Sequence, residues 1–358
     1  MRNIVFFLLP FALLLSACQP IRPIRELRIV ETVGCDLAED GVAVSVFAPA
    51  PELSLRQEAA SLRLAMDRLR DKAASPALFF AHTEYLLIGQ RMAAEALAPA
   101  LDLVARSQDM RLRTPLWLVQ GGDAADALQL GDNDRTVTQM LSALTEDMAR
   151  QGPGHAFTCA EILQSLAVNG AALAAACTVG ESSLKPYGYG VLKDGACVGW
   201  ITAPEDRAVD LLMNLGGHGD VRLRGATLTI ERSRAAFHPA WEGDRLAELT
   251  IEVRLRAALT ETDGQPGVTL ASDRAALEAA LAGTAAGWCR GALQTCQALR
   301  SDALGIGSRL AEQDPGKWAA VRDRWDAVFP ALPIHISVTA SLDRTQDLEE
   351  PLALGGDA

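Results

Sequence analysis

Asp194-Gly195 stands between two short apolar runs, residues 189–193 and Ala196–Ile201. No other dipeptide constrains the fold of this chain as strongly. A two-residue type I′ turn needs positive φ at both centre positions, which Asp tolerates and Gly adopts freely. The flanking runs must therefore pair antiparallel, and the chain must contain a sheet. Further strands are expected at 27–33 and 42–47, joined through Gly34-Cys35-Asp36 and the turn Glu39-Asp40-Gly41, and at 84–88, 116–120, 221–231, 246–258 and 334–342. Val253-Arg254-Leu255-Arg256 shows the period of two that marks a half-solvated sheet.

Helical signals alternate with these strands. Ser54 can cap a helix through about Lys72, with Leu55, Leu62, Met66 and Leu69 as its apolar stripe. Helices are also expected at 91–105, 123–128, 136–150, 159–166 and 203–212. A long one runs from Ser272 to about Arg300. Another opens at Pro315 with Trp318, Val321, Trp325 and Val328 on one face, and Pro330 and Pro333 stop it. Residues 171–179 fit a strand or a buried helix, and periodicity does not separate the two. The order implies an α+β fold class. Three mixed α/β domains are expected after a lipoprotein signal peptide at 1–17. They comprise an N-terminal domain at 18–130, a middle domain with the hairpin at 131–216, and a C-terminal domain at 217–345, followed by an acidic tail at 346–358.

The signal peptide reading rests on Arg2, an apolar stretch at 4–15 and Leu15-Ser16-Ala17-Cys18. The stretch is too short to span a bilayer, which takes about 20 apolar residues. Small residues ending on a cysteine form a lipobox, so Cys18 is the expected lipid attachment site and the first mature residue. The formal net charge is −12, and removing the single positive Arg2 makes it −13. An acidic chain with no Lys/Arg cluster in sequence is a poor match for nucleic acid or for anionic headgroups. Six cysteines remain after Cys18. None lies in a CxxC, and Cys289 and Cys296 are too far apart on one helix to bridge, so they read as free buried thiols.

No catalytic pattern is visible. The five histidines are scattered, with no pair at helical ligand spacing and no HExxH. His82 reads as structural and His335 as solvent-facing. Asp132-Asn133-Asp134 lacks the later ligands of a calcium loop and reads as a capping turn. Gly305-Ile306-Gly307-Ser308 follows no strand and reads as a loop. There is no GxSxG, Walker A or GxGxxG. No metal site, cofactor or catalytic residue is expected.

Several segments, taken in order, resemble the C subunit of spore germinant receptors, the Ger(x)C lipoproteins. After the lipobox come Arg25-Glu26-Leu27 and Gly34-Cys35-Asp36, then Phe80-Ala81-His82 and Leu86-Leu87-Ile88-Gly89. Arg106, Arg111 and Arg113 precede the strand Leu116–Gln120 and Gly122, Ala124 and Leu128. The hairpin reads Leu192-Lys193-Asp194-Gly195-Ala196-Cys197-Val198-Gly199-Trp200. The C-terminal pattern is Asp302, Gly305 and Gly307, then Trp318, Trp325 and Phe329-Pro330, then residues 334–338. Cys35 inside the Gly-x-Asp motif and the high alanine content are departures that suggest a divergent member.

The resemblance implies three α+β domains on the outer face of the spore inner membrane, held by the lipid. It also implies a non-catalytic subunit that works with membrane-spanning A and transporter-like B subunits in a response to nutrients. The alternative is an extracytoplasmic solute-binding lipoprotein of a transporter, which usually shows two similar lobes about a hinge.

Overall fold

A computed structural model describes residues 27–49, 52–73, 77–107, 109–130, 135–151, 154–216, 219–262 and 270–343. Cys18, the tether and the tail therefore lie outside the described residues, as do Asp132-Asn133-Asp134 and His218.

The chain opens with β1 (Leu27–Ile29), β2 (Thr32–Ala38), β3 (Gly41–Pro49) and β4 (Glu52–Ala59). Gly34, Cys35 and Asp36 thus lie within β2 and do not join two strands. β4 replaces the first two turns of the helix expected from Ser54. Leu53 and Leu55 alternate with exposed neighbours and pair with β3, so sheet pairing overrides the Ser54 signal. Helix α1 (Leu62–Ala73) keeps Leu62, Met66 and Leu69 buried, as the stripe requires.

Next come β5 (Ala77–Phe79), β6 (Tyr85–Gly89), α2 (Gln90–Glu95), α3 (Leu97–Arg106), β7 (Leu116–Gln120) and α4 (Ala124–Leu128). The helix expected at 91–105 is broken at Ala96, whose φ of −149° is not helical. They are followed by α5 (Val137–Gln151), α6 (Cys159–Asn169), β8 (Ala171–Val179), β9 (Leu184–Lys193), β10 (Ala196–Ile201) and α7 (Arg207–Met213). The 171–179 ambiguity resolves as strand β8. It bonds to β7 on one side and β9 on the other, which explains an apolar run without alternation.

Of these strands, β1 and β5 pair with each other in a short parallel ladder, and the other eight make one sheet in the order β10-β9-β8-β7-β6-β2-β3-β4. Its centre, β2-β6-β7-β8, is parallel, and its flanks are antiparallel. The boundary expected at 130/131 consequently falls inside one sheet. β7 and β8 come from either side of it and pair from Trp117 opposite Ala175 to Gln120 opposite Thr178. Pairing between strands so distant in sequence leaves no local mark.

The remainder comprises β11 (Gly219–Leu223), β12 (Ala226–Glu242), β13 (Arg245–Thr262), α8 (Leu270–Ala298), α9 (Ile306–Gln313), α10 (Pro315–Val321), α11 (Trp325–Val328) and β14 (Ile334–Asp343). A second sheet has the order β11-β12-β13-β14, with α8 packed on β14. The strand expected at 221–231 is split by an Arg224-Gly225 turn, with φ of 52° and 77°. The helix from Pro315 is likewise divided by a 3-10 turn at Arg322–Arg324.

The hairpin forms as its turn chemistry demands. Asp194 and Gly195 have φ of 51° and 79°, and Lys193 pairs with Ala196. Trp200 is half-buried against Tyr187, with ring centroids 5.4 Å apart, and so is not a core residue. A Cβ on Gly195 would also lie 3.1 Å from the Ala98 Cβ. Gly195→Val is expected to cost about 1–3 kcal/mol by backbone strain. An unchanged melting temperature would reject that placement of the turn.

Candidate functional site

The motif residues converge on two buried aspartates. Asp36, on β2, has no exposed surface. Its carboxylate accepts the Ala124 N–H at 2.6 Å and the Ala125 N–H at 3.0 Å, at the start of α4, with Arg56 3.5 Å away. Those N–H groups have no partner within the helix, so an acceptor is needed there. Two glycines admit the joint. A Cβ on Gly34 would strike the Leu128 side chain and lie 3.0 Å from the Ala124 Cβ. A Cβ on Gly89 would strike the Asp36 carboxylate and lie 3.1 Å from the Ala124 nitrogen. Gly-x-Asp, Ile-Gly and Gly-x-Ala…Leu are thus parts of one contact. Burial pushes the Asp36 pKa up to about 6, while the two N–H donors pull it back down.

Asp302 repeats the arrangement at the other end of the chain. It is buried and accepts the Ile306 N–H at 2.8 Å, the Gly307 N–H at 2.7 Å and the Trp325 Nε1–H at 2.9 Å. Gly305-Ile306-Gly307-Ser308 is therefore no loop. Gly305, with φ of 72°, is the N-cap of α9. A Cβ on Gly307 would come 2.6 Å from the Trp318 ring and 3.0 Å from Trp325 Nε1, so only glycine fits beneath the two indoles. Those rings meet edge-on at 5.1 Å. Burial raises the Asp302 pKa to about 6, opposed by the same donors.

The hairpin docks beside this second joint. Lys193 Nζ donates to the Arg300 carbonyl at 2.7 Å and approaches Asp326 at 3.4 Å. Ser301 Oγ donates to the Leu192 carbonyl at 3.1 Å. A Cβ on Gly199 would lie 2.5 Å from the Leu299 side chain. Lys-Asp-x-x-Val-Gly-Trp and Asp-x-x-Gly-x-Gly are therefore two sides of one seam between the first sheet and the C-terminal helices. Sequence reading named these residues but not their joining. The signal was there in each case: a glycine at fixed distance from an aspartate.

Between α6 and α9 lies a cleft of about 370 Å³. Ile162, Leu173 and Met213 give it an apolar floor, and Gln164, Arg309 and Glu312 line its polar side. His155 Nε2 meets Glu161 Oε1 at 3.0 Å at one end. Burial works against ionised Glu161, but bonds from Thr158 and the neighbouring His155 hold its pKa below the usual value. A His–Glu pair can orient a proton acceptor, yet catalysis by attack also needs a free nucleophile. The hydroxyls at hand are engaged. Thr158 Oγ1 donates to Glu161 in a capping box, and Ser165 Oγ donates to the Ala171 carbonyl.

Among the described residues no group of three His, Cys, Asp or Glu side chains could hold a metal ion. All six described cysteines are free. Burial pushes Cys159, Cys177 and Cys289 up to about 12, which leaves them as protonated thiols at neutral pH. His82 and His335 are exposed. No described helix is long and apolar enough to cross a membrane.

Residues 20–178 match the family described as spore germination protein N-terminal domain, and residues 187–346 match spore germination B3/GerAC like, C-terminal. The spore germination protein YfkR of Bacillus subtilis (strain 168) is 21% identical over 278 residues, covering 74% of this chain and 71% of that protein. The crystal structure of the GerBC protein superposes with a TM-score of 0.60 at 16% identity, over 87% of this chain and 96% of that one. The fold is therefore shared with GerBC.

Proposed function

Because the chain belongs to the spore germination GerAC-like family, we propose that it is the C-type subunit of a nutrient germinant receptor. In this reading it is lipid-anchored through Cys18 at the outer face of the spore inner membrane. It assembles there with membrane-embedded A-type and B-type subunits and turns over no substrate. One observation supports this most. The Gly-Asp motifs around Asp36 and Asp302 are used up in two buried joints that hold the fold, and neither aspartate has access to a reactant. Such residues fix a shape, as a subunit that works by contact requires. A second folding unit starting near residue 217, where the second sheet begins, completes the reading.

Anchoring confines the chain to a thin layer beside its partners, which raises its effective concentration for them. Intact-mass analysis of the membrane fraction should find Cys18 as the acylated first residue. A different N-terminus, or no acyl mass, rejects the anchor. Tagged protein from detergent-solubilised spore membranes should carry A-type and B-type subunits with it. Deleting the gene should abolish the response to one nutrient class and spare nutrient-independent germination. Failure of both would overturn the receptor reading.

The cleft between α6 and α9 favours a second reading, a solute-binding lipoprotein. A nutrient bound there at 100 times its Kd would add about 2.7 kcal/mol to stability. A thermal scan against amino acids and sugars separates the two.

A further inference from the structure

Four arginines form a block on the outer face of the second sheet. On the antiparallel pair β12–β13, Arg232 stands opposite Arg256 and Arg234 opposite Arg254, with no register shift between the two rows. Ala235, Val253 and Leu255 are buried, so the arginines that alternate with them face outward, and all four are exposed. The neighbouring strand β14 adds Thr339 beside Arg254 and Ser341 beside Arg256. Among the described residues, two carboxylates pair with the block. Asp343 lies 2.6 Å from Arg256, and Glu252 lies 3.6 Å from Arg254. Arg232 and Arg234 have no ion-pair partner among the described residues. The absence of a Lys/Arg cluster in sequence is thus corrected in space, because the block draws on two strands.

Like charges placed directly opposite each other across a ladder oppose pairing. Here the sheet carries two such pairs, in a chain whose net charge is −12. The ion pairs to Asp343 and Glu252 offset part of this cost on β13, whereas Arg232 and Arg234 on β12 meet it with no described acid. A local rule broken on that side marks a surface kept for another purpose.

We propose that this face rests on an anionic lipid bilayer, with the four guanidiniums meeting headgroup phosphates. The proposal builds on the membrane-anchored reading above. Charge complementarity selects the face, since the acidic remainder of the chain is repelled by the same surface. Guanidinium is suited to the contact because its planar fork bonds phosphate oxygens in pairs. The clefts against α6 and α9 and between α1 and α3 lie on other parts of the molecule, and the arginine face is built of paired strands. An acylated Cys18 would hold the chain to the membrane at a single point and select no side of the body. The arginine face adds what the anchor lacks, a preferred side toward the membrane.

The test uses the mature chain from residue 18 with Cys18→Ser, so that no acyl chain contributes. It is titrated with vesicles of phosphatidylglycerol and phosphatidylcholine, and with vesicles of phosphatidylcholine alone. Binding is expected on the first only, weakening as salt is raised. Each arginine beside an anionic surface contributes about fivefold, so R232E/R234E should lower partitioning by about 30-fold or more. R63E/R68E, an equal charge change at exposed positions of α1, should leave it unchanged. Circular dichroism confirms that both variants fold. Equal binding to neutral vesicles, or binding unchanged by R232E/R234E, overturns the proposal. So does binding to soluble polyglutamate as tight as to the vesicles, which would assign the face to an acidic protein. Because the chain is unacylated, this result stands apart from the mass analysis of Cys18.

Discussion

Asp302→Ala is expected to lower the unfolding free energy by about 3–5 kcal/mol, read from the urea midpoint. The carboxylate is the acceptor for the Ile306 and Gly307 N–H groups and the Trp325 indole, all inside the protein. Each buried donor left without a partner costs about 1–3 kcal/mol. Removing a carboxylate that is itself costly to bury offsets part of the total. The Trp325 emission should shift as its indole loses its partner, which places the damage at this joint. The pH dependence carries a second signature. The ordinary Asp302 pKa of 3.8 rises to about 6 in the folded protein. Between those values the folded state holds more protons than the unfolded state, so this group's contribution is full below pH 3.8 and is lost as pH rises through about 6. The alanine variant should lack that part of the slope.

Gly89→Ala should cost about 2–4 kcal/mol, although it adds one methyl group. The new Cβ would occupy space held by the Asp36 carboxylate, with the Ala124 nitrogen 3.1 Å away and the Asp123 Cα 3.2 Å away. Backbone cannot yield on that side. The aspartate must swing out and release both α4 N–H groups. Gly122→Ala is the control, since its Cβ would meet the Asp126 carboxylate at an ordinary 3.6 Å. Equal melting temperatures for Gly89→Ala and the wild type would disprove the joint.

The parts legible in the sequence were those set by local chemistry. Asp194-Gly195 required its turn, Leu116–Gln120 and Ala196–Ile201 read as strands with the right ends, and the Leu62, Met66 and Leu69 stripe marked a buried helix face. Errors arose where a distant partner decided. Glu52–Ala59 is a strand because β3 lies beside it. Gly305 opens a helix because Asp302 and two tryptophans close over it. The join of β7 to β8 and the four-arginine block both depend on register between strands far apart in sequence, which no window along the chain contains. Cys18 was named from sequence and lies outside the described residues, so its test is chemical.

The first sheet runs as one hydrogen-bonded ladder from β4 to β10. Mechanically this is a plate. To bend it between its halves, the β7–β8 pairing would have to shear, and that pairing sits in the middle of the stack, covered on both faces. Closing like a clamshell about a ligand is therefore denied to this half of the molecule. Its hairpin edge is joined to the C-terminal helices through the Lys193–Arg300 and Ser301–Leu192 bonds, so a tilt of the plate would bear directly on those helices.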